Sequence, residues 1–310
     1  MTFPTTVAPS LSNYQISYNG LTMGPGTSYG IQQLSGLDLP ALSSGDAQRP
    51  RDHGQFLGYN FYQGRDITIT GDINADATSF THAIQTLATA TVDQISNEYP
   101  LWFQFPNLPV LGSMVRPIKR AIPVDVNWVG GLASMSMLFH ASDPRLYSTP
   151  QSASAGLGTP VGGLAFNVTF NASFGGGTVA GIATCVNSGN IDTRPTFTIT
   201  GPCTNPTIYN ATSGYSITLT NPSQTGYTVL SGDQVVIDTD LHSVNYYSGG
   251  IAAGNPAARR FWIKAGSTWP NVVNGVNALG PGTNIIQFTS QDSSAVAGTL
   301  SVNWCSAYML

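Results

Sequence analysis

Segment after segment of this chain alternates β-branched or aromatic residues with polar ones, cut at short intervals by Gly, Asn and Pro, and a helical period shows in one place only. That pattern leaves room for little but an all-β fold with one helix. Tyr14-Gln15-Ile16-Ser17-Tyr18 alternates and runs into Asn19-Gly20, a strong short-range hairpin signal. Tyr29–Leu34 reads as a second strand, and Asp66–Ile73 alternates as a half-buried strand should. Leu101–Phe105 is an apolar strand closed by Pro106, and Val110–Arg120 continues from it. Val124–Trp128 and Ser134–Phe139 alternate and predict two more strands. Between them the stretch Ser43–Gly54, with Arg49, Arg51 and Asp52 among Gly and Pro, reads as an exposed loop. The helix is predicted where Phe80, Ile84, Leu87, Val92 and Ile95 recur, capped by Asp76 or Ser79, with His82, Gln85 and Thr86 on its polar side.

Ser148–Gly163 is rich in Ser, Ala, Gly, Pro and Thr and predicts a linker between two domains, 1–147 and 164–310. Beyond it every segment is strand-like: Ala165–Phe170, Val179–Val186, Pro195–Thr200, Thr207–Asn210, Tyr215–Thr220, Gln234–Thr239, Phe261–Lys264, Asn284–Phe288 and Thr299–Trp304. Strands so spaced argue for a β-sandwich.

Charged residues make up 8% of the chain, against about a quarter in an ordinary soluble domain. A chain this poor in titratable groups has little material for acid–base or metal chemistry, and it reads as structural. The net charge of −4 offers no basic field for nucleic acid. No apolar run reaches the roughly 18 residues of a membrane span. Met1-Thr2-Phe3-Pro4 lacks the charged and apolar regions of a secretory signal. Cys185, Cys203 and Cys305 have no metal spacing; buried free thiols fit an intracellular chain, and a Cys185–Cys203 bridge is the alternative. The sequons at Asn167, Asn171 and Asn210 are expected by chance in so much Asn and Thr.

The candidates for chemistry are few. His53, His82, His140 and His242 form no metal-binding pattern. Asp238-Thr239-Asp240 is the sharpest carboxylate pair; it closes Val235-Val236-Ile237 and reads as a turn, with Ca²⁺ binding or glycoside hydrolysis as the rival. Gly175-Gly176-Gly177 reads as a hairpin tip, since no helix or Lys-Ser/Thr follows it. Trp262, Trp269, Trp304, Tyr246 and Tyr247 are expected in a sandwich core, or as a sugar-stacking platform if exposed. Arg116, Lys119 and Arg120 read as the charges of a solvated edge strand. No catalytic, cofactor or metal residues are assigned.

In order along the chain, Tyr29–Leu37, Gly64–Ile73, the helix, Leu101–Phe105 and Ala141-Ser142-Asp143-Pro144-Arg145-Leu146-Tyr147 resemble the ring-forming domain of siphophage distal tail (Dit) proteins. The second half is similar to that family's galectin-like, or carbohydrate-module-like, sandwich at Asn187–Asn190, Pro195–Gly201, Asn205-Pro206, Gly232-Asp233 with Ile237-Asp238, and Pro281–Asn284. The resemblance implies a non-enzymatic virion protein without cofactors, assembled in the host cytoplasm. Its expected place is a hexameric ring at the tail tip that joins the tail tube to the baseplate hub around a DNA channel. The implied partners are further copies of itself, tube protein above and hub proteins below. A host-surface glycan on the second domain is the alternative reading.

Overall fold

The computed structural model describes residues 8–76, 78–92, 97–157, 181–220, 226–259, 263, 278–292 and 297–310. They form two compact units, the first running to Thr149 and taking in Ala307–Leu310, the second Pro150–Ser306.

The first unit opens with β1 (Gln15–Tyr18) and β2 (Leu21–Met23), paired through the predicted turn. Asn19 and Gly20 both take positive φ, 45° and 80°, the backbone that a two-residue hairpin needs. After β3 (Tyr29–Ser35) come four short strands of a projecting arm, β4 (Leu42–Ser44), β5 (Ala47–Gln48), β6 (Gln55–Phe56) and β7 (Asn60–Tyr62). β8 (Arg65–Asn74), α1 (Phe80–Ala90), β9 (Tyr99–Gln104), β10 (Leu111–Ala121), β11 (Leu132–Ala141) and β12 (Leu146–Tyr147) complete the run. The strands order β2-β1-β9-β10-β11-β8-β3, all antiparallel. β8 alternates as its sequence predicts, burying Arg65, Ile67, Ile69, Gly71 and Ile73 on one face. That face, with Tyr18, Leu101, Phe103, Met135, Met137 and Phe139, forms a core closed by Phe80, Ala83 and Leu87 of α1.

Asp76 anchors the helix start. Its Oδ1 accepts from the Ser79 backbone N–H at 2.8 Å and the Thr78 N–H at 3.1 Å, and from both hydroxyls. Those hydrogen bonds, the Thr78 hydroxyl foremost, hold its carboxyl down at about 2. We expect an NMR titration to give Asp76 a midpoint near 2. Because the folded value is depressed, its stabilisation is present above the ordinary 3.8 and lost as the pH falls through about 2. A midpoint near the ordinary value rules out the cap. The helix stops at Ala90, so the exposed Val92 lies beyond it, and Ile95 falls outside the described residues.

One reading needs correction here. Val124–Trp128 is not a strand: Val126–Gly130 is a 3-10 turn. The Asp125 side chain accepts from the Asn127 N–H at 2.9 Å, and Gly131 at φ 77° ends the turn, local hydrogen bonding that outweighs the alternation. Arg116, Lys119 and Arg120 are exposed and lie on the stretch of β10 that pairs with β11 alone, past the end of its pairing with β9, so they line a solvated edge as the sequence predicts. Ser43–Gly54 is exposed throughout as expected, and within it Ser43, Ser44, Ala47 and Gln48 also pair with β7 and β6.

The second unit begins with β13 (Gln151–Gly156), inside the expected linker. Its small residues carry no strand signal, but the strand Thr299–Trp304 fixes them in register from Gln151 opposite Trp304 to Gly156 opposite Thr299. The rest of that expected linker, 158–163, and Ala165–Phe170 fall outside the described residues. There follow β14 (Gly181–Asn187), β15 (Thr196–Thr200), β16 (Cys203–Thr204), β17 (Thr207–Asn210), β18 (Tyr215–Thr218), β19 (Thr228–Val229), β20 (Gln234–Asp238), β21 (Ser243–Tyr247), β22 (Pro256–Ala258), β23 (Gly282–Thr289) and β24 (Thr299–Trp304). A six-stranded sheet, β13-β24-β15-β20-β21-β22, and a four-stranded sheet, β14-β23-β17-β18, supply one core. Ile199, Val235, Ile237 and Val302 come from the first, and Ile208, Ile217, Ile286 and Phe288 from the second. This is the expected sandwich. Only Ile263 of the predicted strand Phe261–Lys264 is described, bridging to Leu219.

The chain then returns to the first unit. β25 (Ala307–Tyr308) pairs with β12, Leu146 opposite Tyr308 and Tyr147 opposite Ala307. Arg65, 2% exposed, ties this closure together. Its guanidinium donates to the Pro144 carbonyl at 2.9 Å, to the Gly36 carbonyl at 2.9 Å and toward the Met309 sulfur at 3.4 Å.

Candidate functional site

The residues that sequence offered for chemistry are spent on structure. Asp238 Oδ1 accepts from the backbone N–H groups of Asp240 and Leu241, both at 2.9 Å, so the pair forms the expected turn. The Asp240 carboxylate meets Arg194 at 2.5 Å. The buried Thr239 hydroxyl donates to the Pro195 carbonyl at 2.7 Å. His140 Nδ1 lies 2.6 Å from Asp66 Oδ1 on neighbouring strands. His82 lines a shallow hollow of about 430 Å³ with Asn19, Gln85 and Thr89. His53 sits on the arm and His242 ends the Asp238 turn at φ 51°. Among the described residues no cluster of His, Cys, Asp or Glu converges in a way that could hold a metal ion. Nor is any described helix long and apolar enough to cross a membrane.

Among the described residues, Trp304 and Tyr246 serve the sandwich rather than an open platform. Trp304 is buried, and its ring N–H donates to the Val186 carbonyl at 3.0 Å. The Tyr246 hydroxyl donates to Asp233, and its ring meets that of Tyr227 edge-on. Trp262, Trp269, Gly175–Gly177 and the sequons at Asn167 and Asn171 lie outside the described residues. Asn210 is buried, and its side-chain oxygen accepts from the Thr212 N–H at 3.0 Å. Arg120 donates to the Ala88 carbonyl at 2.9 Å and the Thr91 hydroxyl at 2.7 Å, so it braces α1.

Cys185, Cys203 and Cys305 are free and buried, with no bridge between them. Burial pushes each thiol up to about 12. A thiolate is the reactive form, so we expect none of the three to react with a maleimide at neutral pH until the chain unfolds. Stoichiometric labelling of the native protein is the opposing result.

What stands out is an exposed apolar surface. The arm between β3 and β8 carries Leu42, Phe56, Leu57, Tyr59, Phe61 and Tyr62, with Leu57 91% exposed. Its tip is braced by Arg49, which lies 5.1 Å above the Phe56 ring and 3.8 Å from Asp52. Gly58 donates its N–H to Asp46 Oδ1 at 2.7 Å, joining the two halves of the arm. Six large apolar side chains held on a braced hairpin form the kind of patch that marks a protein interface.

No family model matches the chain, and no curated protein matches it either. Solved structures do. The crystal structure of the SPP1 Dit protein, described as a paradigm of the hub adsorption apparatus in phages infecting Gram-positive hosts, superimposes with a TM-score of 0.59 at 12% identity. The match covers 93% of this chain and 97% of that one. The chain has the distal tail protein fold. Two structures of the phage P2 baseplate in its activated conformation, with Ca and with Sr, match at TM-scores of 0.49 and 0.46 and 8% and 9% identity. They cover 93% of this chain and 97% and 96% of those chains.

Within this Dit fold, sequence reasoning missed the arm as a surface. The signal was present in Phe56-Leu57-Gly58-Tyr59-Asn60-Phe61-Tyr62, an apolar run beside a stretch read as solvated loop. The Ala141–Tyr147 motif turns out to be a structural latch. Asp143 accepts from the Arg145 N–H at 3.0 Å and from the Tyr147 hydroxyl at 2.5 Å, which places Tyr147 to pair with both β10 and β25.

Proposed function

We propose that this chain is a non-enzymatic structural subunit of a phage tail tip, whose first unit assembles with further copies into a hexameric ring between the tail tube and the baseplate hub. The observation that carries this is the likeness to SPP1 Dit over nearly the full length of both chains. The exposed apolar arm supports the assembly. Its side chains have no core of their own, and contact with a neighbour removes them from water at about 25 cal/mol per Å². The low charge fits the same role, because charge at a repeated interface costs desolvation. The test is electron microscopy and light scattering of the purified full chain, with labelling of intact particles by a specific antibody. Rings, and label at the tail tip, are expected. A monomer at all accessible concentrations with label elsewhere on the particle defeats the proposal.

Recognition of a host-surface glycan is the second reading. One observation favours it: Ile182, Gln287 and Tyr209 form a cross-strand row on β14, β23 and β17, with Ile182 and Tyr209 exposed. An aromatic face beside an amide suits a sugar ring. A glycan array probed with the full chain and with Tyr209→Ala decides it: binding abolished by the substitution supports the reading, and no binding removes it.

A further inference from the structure

The first unit has a second exposed apolar feature, at the far end of the sheet from the arm. Val124, Val126 and Val129 are 75%, 88% and 89% exposed around the 3-10 turn between β10 and β11. This turn is held in shape. Asp125 caps it, the Ala75 N–H donates to the Gly131 carbonyl at 3.1 Å, and the Trp128 ring stands edge-on to Phe80 of α1 at 5.1 Å. Three valines are therefore displayed on a fixed support with nothing of the described first unit covering them.

Register places the two features. The arm leaves β3 and re-enters at the Arg65 end of β8, opposite Ala141. The valine turn precedes Leu132, which pairs with Asn74 at the other end of β8. At about 3.3 Å per residue, β8 separates them by roughly 33 Å, and the arm from Gly36 to its tip near Arg51 can span up to roughly 50 Å. An arm can thus run the length of a neighbour's β8–β11 pair and reach that neighbour's valine turn.

The geometry points to the Val124–Val129 turn as the acceptor for the arm of a second copy of this chain, in a head-to-tail contact. This rests on the ring reading above and names the surfaces that join its subunits. Two unlike apolar patches at opposite ends of one unit suit a heterologous interface, which propagates around a ring, whereas self-pairing of either patch stops at a dimer and leaves the other patch wet. Size argues the same way. Three valines fall well short of the roughly 800 Å² per partner of a standard interface, and a long arm supplies the remainder along its length. Charge offers no obstacle, since the turn carries only Asp125 and the arm tip carries Arg49 and Arg51 against Asp52, which lies 3.8 Å from Arg49, leaving Arg51 to face the turn's carboxylate.

The experiment uses two full-length double variants, Val126→Asp with Val129→Asp, and Leu57→Asp with Tyr59→Asp. All four side chains are exposed, so both variants are expected to melt like the parent. Each is expected to be monomeric by light scattering where the parent assembles. Mixed, they are expected to give a one-to-one complex, because the intact arm of the first docks on the intact turn of the second and neither can continue the chain. A parent that is itself monomeric overturns the ring reading. A parent that assembles alongside a turn variant that still assembles overturns this inference alone, and assigns the valines to a different protein. Two monomeric variants that fail to combine overturn it as well, by showing that the arm and the turn do not meet.

Discussion

Replacing Arg65 with methionine will lower the unfolding free energy of the first unit by up to roughly 2–6 kcal/mol, from two partly buried carbonyls left without a donor at no more than about 1–3 kcal/mol each. Methionine matches the length of the arginine stem and keeps the apolar contacts along it. What disappears are the donors to Pro144 and Gly36 and the contact to Met309. Relief of the buried guanidinium's own desolvation offsets part of the loss, which is why the range is wide. Urea unfolding followed by tryptophan fluorescence measures it, with the midpoint falling and the slope unchanged. A loss under about 1 kcal/mol means that water replaces the guanidinium at those carbonyls, and Arg65 is then not the clasp of this closure.

Deleting Ala307–Leu310 will destabilise the first unit and spare the second. Ala307 and Met309 are buried there, and β25 covers the free side of β12. Lost apolar burial and strand pairing together amount to about 3–5 kcal/mol. For a unit of this size that moves its melting transition down by on the order of 10 °C. Calorimetry is expected to show one transition shifted and the other in place. If both transitions move equally, the two units unfold as one and the assignment of these four residues to the first is mistaken.

What could be read from sequence was what local chemistry decides. Asn19-Gly20 fixes its hairpin because few other pairs accept two positive φ values in succession. β8 shows its alternation because one of its faces is buried along its whole length. Asp76 announces the helix because its carboxylate can satisfy orphan N–H groups at close range. What escaped was set by distant partners. β13 is a strand because β24 lies beside it, and its Ser-Ala-Ser-Ala run carries no trace of that. The valine turn mimics a strand pattern, but its valines face outward and the Asp125 cap bends the chain into a 3-10 turn. The arm inverts the usual rule of apolar inside. The return of β25 closes a contact between residues more than half the chain apart, which no local signal records. At the sites of supposed chemistry, the carboxylates of Asp238 and Asp143 were legible as turn-formers, and the exposed surfaces that matter more carry no titratable motif to find.

That last closure has a consequence for the order of events during synthesis. The first unit lacks its β25 strand until Ala307 to Met309 have left the ribosome, by which point the whole sandwich has been made. The first unit therefore reaches its described pairing only after the residues of the second have been synthesised, so the two units cannot mature strictly in chain order.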